Sequence, residues 1–130
     1  LARTRTIKDN EVITMQKLVF ESKWEQTISE QDRQKIESTF NKINIPNHQV
    51  RLTPLWQAVN HKGELLVTTL IHNSTNQSLS FNNTKVQYDN RVEALFTLPI
   101  SIDPQTSMPW TFIFPEHPMP EKLGQLKIVE

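Results

Sequence analysis

Apolar residues recur at every second position through most of this chain, and at helical spacing in one stretch only. The alternation is clearest in two runs. Phe96, Leu98, Ile100 and Ile102 fall on one side of the first, with Thr97, Pro99 and Ser101 on the other. In the second, Trp110, Phe112 and Phe114 share a face. From Ala94 to Pro115 the only charged residue is Asp103, so burial on at least one face is predicted. Side chains two apart in a strand point the same way, and the two runs together predict an aromatic core layer. Trp110, Phe112, Phe114 and Leu98, with Trp56 from an earlier segment, form the predicted core set.

Ahead of these runs the pattern changes twice. Residues 1–14 hold Arg3, Arg5 and Lys8 among threonines with few apolar positions, and read as a flexible leader. Lys17 to Trp24 alternates, with Leu18, Phe20 and Trp24 on one face, and reads as a strand. Ser29-Glu30-Gln31-Asp32 is a helix start: the serine can accept from the N–H three residues on, and acids suit the positive helix end. Ile36, Phe40 and Ile43 then mark a narrow apolar stripe, which predicts one short, N-terminal amphipathic helix at about 30–43. Ile45-Pro46 closes it, because a residue before proline is pushed out of the helical region.

Every later segment reads as strand. Val50–Val59 carries Pro54, which lacks a ladder donor, so an edge strand or a bulged one is expected. Asn60-His61-Lys62-Gly63 is a hairpin signal, and Glu64–His72 is apolar on both faces, as a central strand should be. Leu79 with Phe81, then Thr84, Val86 and Tyr88, give two short strands, and Leu126 with Ile128 a last edge strand. Turns about every 8–12 residues predict a mainly β protein: one antiparallel β-sandwich domain over 15–130, immunoglobulin- or fibronectin-like, of about six or seven strands.

Composition narrows the chemistry. Absent cysteine excludes disulfides and thiolate sites. Basic and acidic residues balance at 14 each, giving no electrostatic reason to expect nucleic acid. No apolar run is long enough for a membrane helix. The chain opens on Leu1 rather than methionine and reads as a fragment whose targeting segment could lie upstream. His48, His61, His72 and His117 are scattered, and His61 and His72 are expected to be solvated; no metal site, cofactor or catalytic set is expected. Asn73-x-Thr75 and Asn82-x-Thr84 match the glycosylation pattern but read better as turn chemistry. Trp24, Trp56 and Trp110 read as core, or else as a stacking surface for sugar or peptide.

Arg51-Leu-Thr-Pro-Leu-Trp56, the hairpin through Ile71, Leu98-Pro-Ile-Ser-Ile102 and Ser107-Met-Pro-Trp-Thr-Phe-Ile-Phe114 resemble the SLAP domain of Firmicutes, over about residues 16 to 115. That family belongs to S-layer assembly proteins of the accessory Sec system, and its larger members carry two copies. The resemblance implies a non-enzymatic protein-interaction module assisting secretion or assembly of cell-surface proteins. Its partner would be an accessory SecA-type ATPase or an S-layer client, and its place cytoplasmic or peripheral to the membrane. The alternative is an extracytoplasmic sugar- or peptide-binding module at the cell surface. Because a free strand edge can template an extended segment, partner contact is expected at Leu126 and Ile128 of the tail, with Glu30 and Arg33 on the helix.

Overall fold

The computed structural model describes residues 1–7 and 12–129. Its strands, in chain order, are β1 (Ala2–Ile7), β2 (Val12–Leu18), β3 (Val50–Val59), β4 (Glu64–Asn73), β5 (Leu79–Ser80), β6 (Thr84–Tyr88), β7 (Val92–Phe96), β8 (Ser101–Ile102), β9 (Thr106–Glu116) and β10 (Leu126–Val129). Two helices, α1 (Ser22–Thr27) and α2 (Glu30–Lys42), lie between β2 and β3. With 47% of residues in strands and 16% in helices, the protein is mainly β.

The main sheet has the order β1-β2-β9-β4-β3. Its second strand from the middle outward, β4, has covered faces on both sides, and its residues show why. Leu65, Val67 and Ile71 join one hydrophobic cluster, whereas Leu70, of opposite parity, joins another. The first cluster lies between this sheet and a smaller one, β10-β6-β7, with the β5-β8 ribbon beside it. Phe112 and Phe114 of β9 meet Val86, Tyr88, Phe81 and Ile102 there, and all are buried. The second cluster packs Ile36 and Phe40 of α2 over Leu18, Leu55 and Leu70. The layers therefore run helices, five-stranded sheet, small sheet.

Local chemistry accounts for the joints. Ser29 Oγ accepts from Asp32 N at 3.1 Å and starts α2. Arg33 bridges the helices, 2.7 Å from Glu25 and stacked 4.5 Å over the Phe20 ring. The β3–β4 hairpin turns on Gly63 at φ +81°, with Asn60 Oδ1 accepting from Lys62 N and Glu64 N. At the far end, Asp89 lies so close to Gly124 that a side chain there would strike its carboxylate. Asp89 Oδ1 also accepts from Gln125 N, which fastens the start of β10. Gly124→Ala is thus expected to release this strand: amide exchange along Leu126–Val129 should accelerate, while exchange in β4 stays unchanged.

Several expectations are revised. The sheet is not purely antiparallel, because β2 pairs with β9 in parallel at Lys17↔Thr106 and Leu18↔Ser107. The helix is neither single nor N-terminal; two strands precede a pair of helices. The flexible leader gives way to β1, antiparallel to β2, although residues 8–11 of that segment lie outside the described residues. Arg3 explains part of this order: Nη1 donates to the Phe40 and Ile43 carbonyls at 2.6 Å each, closing the C-terminal end of α2. Arg3→Ala should cost about 1–2 kcal/mol in chemical denaturation. The strand expected over Lys17–Trp24 ends at Leu18, and Trp24 sits in α1. The run from Phe96 to Ile102 keeps its sidedness but leaves the sheet after Phe96. Pro54 does mark an edge strand, and the β3–β4 register shifts between Pro54 and Trp56.

Candidate functional site

The expected contact residues do not share one face. Glu30 is exposed and Arg33 half-buried on the helix layer. Leu126 is buried and Ile128 half-buried against the opposite cluster, on the far side of the five-stranded sheet. The core set is divided similarly. Phe112 and Phe114 are fully buried, Trp110 and Leu98 pack at the rim of the same cluster, and Trp56 belongs to the helix side.

Two of the surface grooves bear on binding. One, of about 610 Å³, lies where β3 and β10 approach without pairing. Its apolar lining comes from Val50, Leu52, Leu79, Leu126 and Ile128, and its charged lining from Arg51 and Lys127. Among the described residues neither cation has an ion-pair partner; Arg51 Nε donates only to Gln49 Oε1, at 3.3 Å. These cations were legible in principle, since each sits between two apolar residues of a predicted edge strand. Further along β3, Gln57 Nε2 donates to the Pro120 carbonyl at 2.8 Å and Tyr88 Oη donates to Gln57 Oε1 at 2.7 Å, tying the two sheets together.

The other groove, of about 530 Å³, lies beside the α1–α2 turn between Trp24 and Trp56, with Thr68 and Thr111 at its base. The two threonine hydroxyls bond each other at 2.8 Å, and Lys35 Nζ stands 5.3 Å from the centre of the Trp56 ring. Both tryptophans are half-buried, so each shows part of its ring to solvent.

His72 is not the solvated side chain expected from its place near a strand end. It is fully buried; Nδ1 lies 2.6 Å from Ser107 Oγ and Nε2 3.0 Å from Thr53 Oγ1. Gln16 Nε2 donates to the same Ser107 Oγ at 3.1 Å, and Gln16 Oε1 is buried with no partner among the described residues. Burial first, and then the nearby Arg3 guanidinium, push the imidazole down to about 4. A serine–histidine contact suggests a nucleophile and its base, but both side chains are fully buried and a hydroxyl, not a carboxylate, holds the second nitrogen. In this arrangement the pair joins β9, β4 and β3 and offers a substrate no access.

Asn73 of the first glycosylation-like triplet is buried, donating to the carbonyls of Gln77, Ile102 and Asp103. That is turn and ribbon chemistry. Among the described residues no three His, Asp or Glu side chains converge as a metal site. Chelator is accordingly expected to leave the melting curve in place; a loss of several degrees restored by a divalent cation would contradict it. No helix of the described residues is long and apolar enough to cross a membrane.

The family model of the SLAP domain matches residues 18–126. No curated protein matches the chain. No solved structure matches it either.

Proposed function

Since the chain belongs to the SLAP-domain family, we propose that it is a non-enzymatic protein-interaction module that assists secretion or assembly of S-layer proteins with an accessory Sec system. The family match across most of the chain carries this reading. Two physical features support it. The chemistry-bearing side chains that do meet, His72 and Ser107, are sealed inside the sheet. The exposed features are instead those of a binding protein: open strand edges at β3 and β10 and two shallow grooves. Work at the cytoplasmic membrane face, with an accessory SecA-type ATPase or an S-layer client as partner, follows from the same reading. The test is amide exchange with and without those two proteins. Protection at the tail edge or on the exposed side of α2 is expected, and no protection anywhere would remove the interaction role.

The half-buried Trp24 and Trp56 favour a second reading, an extracytoplasmic module stacking sugar or peptide. Under it, oligosaccharide or peptide should quench tryptophan emission, and Trp56→Ala should abolish the quenching.

A further inference from the structure

We infer that the groove between β3 and β10 receives an extended segment of another protein in which apolar and acidic residues alternate, paired as an added strand along β10. This deepens the interaction reading above and rests on it.

The backbone supplies the first half of the argument. β10 is four residues long and, among the described residues, pairs with β6 on one side only. Gln125 O accepts from Asp89 N, so the antiparallel alternation turns Lys127 and Val129 toward β6. The N–H groups of Leu126 and Ile128 are left facing the groove. Their side chains pack into the core, but among the described residues no backbone partner takes up their amides. On the facing wall, Val50–Leu52 of β3, the row of donors is interrupted just beyond the groove at Pro54. β10, which has no proline, is the uninterrupted edge.

Side chains supply the second half. The floor is apolar, formed by Leu52, Leu79, Leu126 and Ile128, and it opens onto the cluster between the sheets. An added strand sends alternate side chains toward that floor and the intervening ones toward the rim. At the rim stand Arg51 on one wall and Lys127 on the other, both exposed and without ion-pair partners among the described residues. Among the described residues no acidic side chain lines the groove. The matching occupant thus carries apolar residues inward and carboxylates outward. A basic segment would bring like charges together at both walls. The groove's volume is within the range of sites that enclose short ligands.

The test uses fluorescein-labelled, capped octapeptides with the full chain. One alternates valine and glutamate, one valine and lysine, and one has four glutamates followed by four valines. Saturable binding of the first is expected, about tenfold or more tighter than of either other, with a loss of affinity in high salt. Slowed amide exchange should appear at Leu126 and Ile128. The double charge reversal Arg51→Glu/Lys127→Glu should invert the preference toward the lysine peptide; its melting curve checks the fold, and Arg51→Gln/Lys127→Gln should simply flatten the preference. Equal binding of acidic and basic peptides, an unchanged preference in the charge-reversed protein, or protection confined to other strands would overturn the inference. Peptide binding without protection by a secretion partner would count against the secretion role and leave the groove standing. A client that protects α2 while no peptide binds would do the reverse.

Discussion

Phe112→Ala is expected to destabilise the protein by about 3–5 kcal/mol. Few single changes here remove as much. The ring is fully buried at the centre of the cluster between the sheets, 4.9 Å from Phe96 in an edge-on contact and 5.8 Å from Phe81. Truncation forfeits the transfer energy of the ring and leaves a cavity that its close-packed neighbours collapse only partly to fill. Since whole domains are stable by only about 5–15 kcal/mol, the loss should be visible as a fall in melting temperature on the order of 10 °C. Trp110→Ala should cost less, because that ring is half-buried at the rim of the same cluster. Equilibrium urea unfolding of both variants decides the order. A Phe112 variant melting within about a degree or two of the parent would mean that this cluster is not the core.

Acid should unfold the protein partly through one side chain. His72 is held neutral, its pKa lowered from 6.5 to about 4. In the unfolded chain it takes a proton near its ordinary value. Between those two values the unfolded state binds the extra proton, so stability is complete above about pH 6.5 and drains away as pH falls toward 4. The full loss is about 3 kcal/mol, set by the size of that shift. His72→Gln keeps hydrogen-bonding capacity toward Ser107 and Thr53 but cannot titrate in this range. It should therefore lose markedly less stability than the parent between pH 7 and 4.5 in urea titrations. Carboxylates contribute equally to both proteins and cancel in the difference. Equal losses would show that His72 is not buried as a neutral ring.

Much of the architecture could be read because it is local. Pro54 announced an edge, Asn60–Gly63 a hairpin, Ser29 a helix start, and the two-sided apolar run of β4 a strand covered on both faces. What escaped depends on partners far along the chain. Leu18, Phe20 and Trp24 share a parity that suits a strand, but Trp24 and Ile28 also share a helix face, and packing on the sheet selects the helix. Arg3 looked like part of a leader because its acceptors, the last carbonyls of α2, cannot be seen from residue types. His72 looked solvated because Gln16, Thr53 and Ser107, which allow its burial, come from three other strands. The site followed the same rule. A free edge at Leu126 and Ile128 is legible from the sequence, whereas the inward packing of their side chains and the place of Lys127 at a groove facing β3 are not.

The position of β9 in the main sheet bears on how the chain acquires its shape during synthesis. Thr106–Glu116 lies between β2 and β4, so it is both a late segment and a central one. Until it leaves the ribosome, β1 and β2 have no sheet to join, and the inner face of β4 lacks Phe112 and Phe114. The β3–β4 hairpin and α2 are local and can form early. The parallel contact of Leu18 with Ser107, by contrast, must close about two thirds of the chain into a loop. A topology dominated by such distant pairings folds on the order of milliseconds to seconds. For most of its emergence the nascent protein therefore presents open strand edges of its own, and a nascent chain halted before Thr106 should remain sensitive to protease while one halted beyond Val129 is resistant.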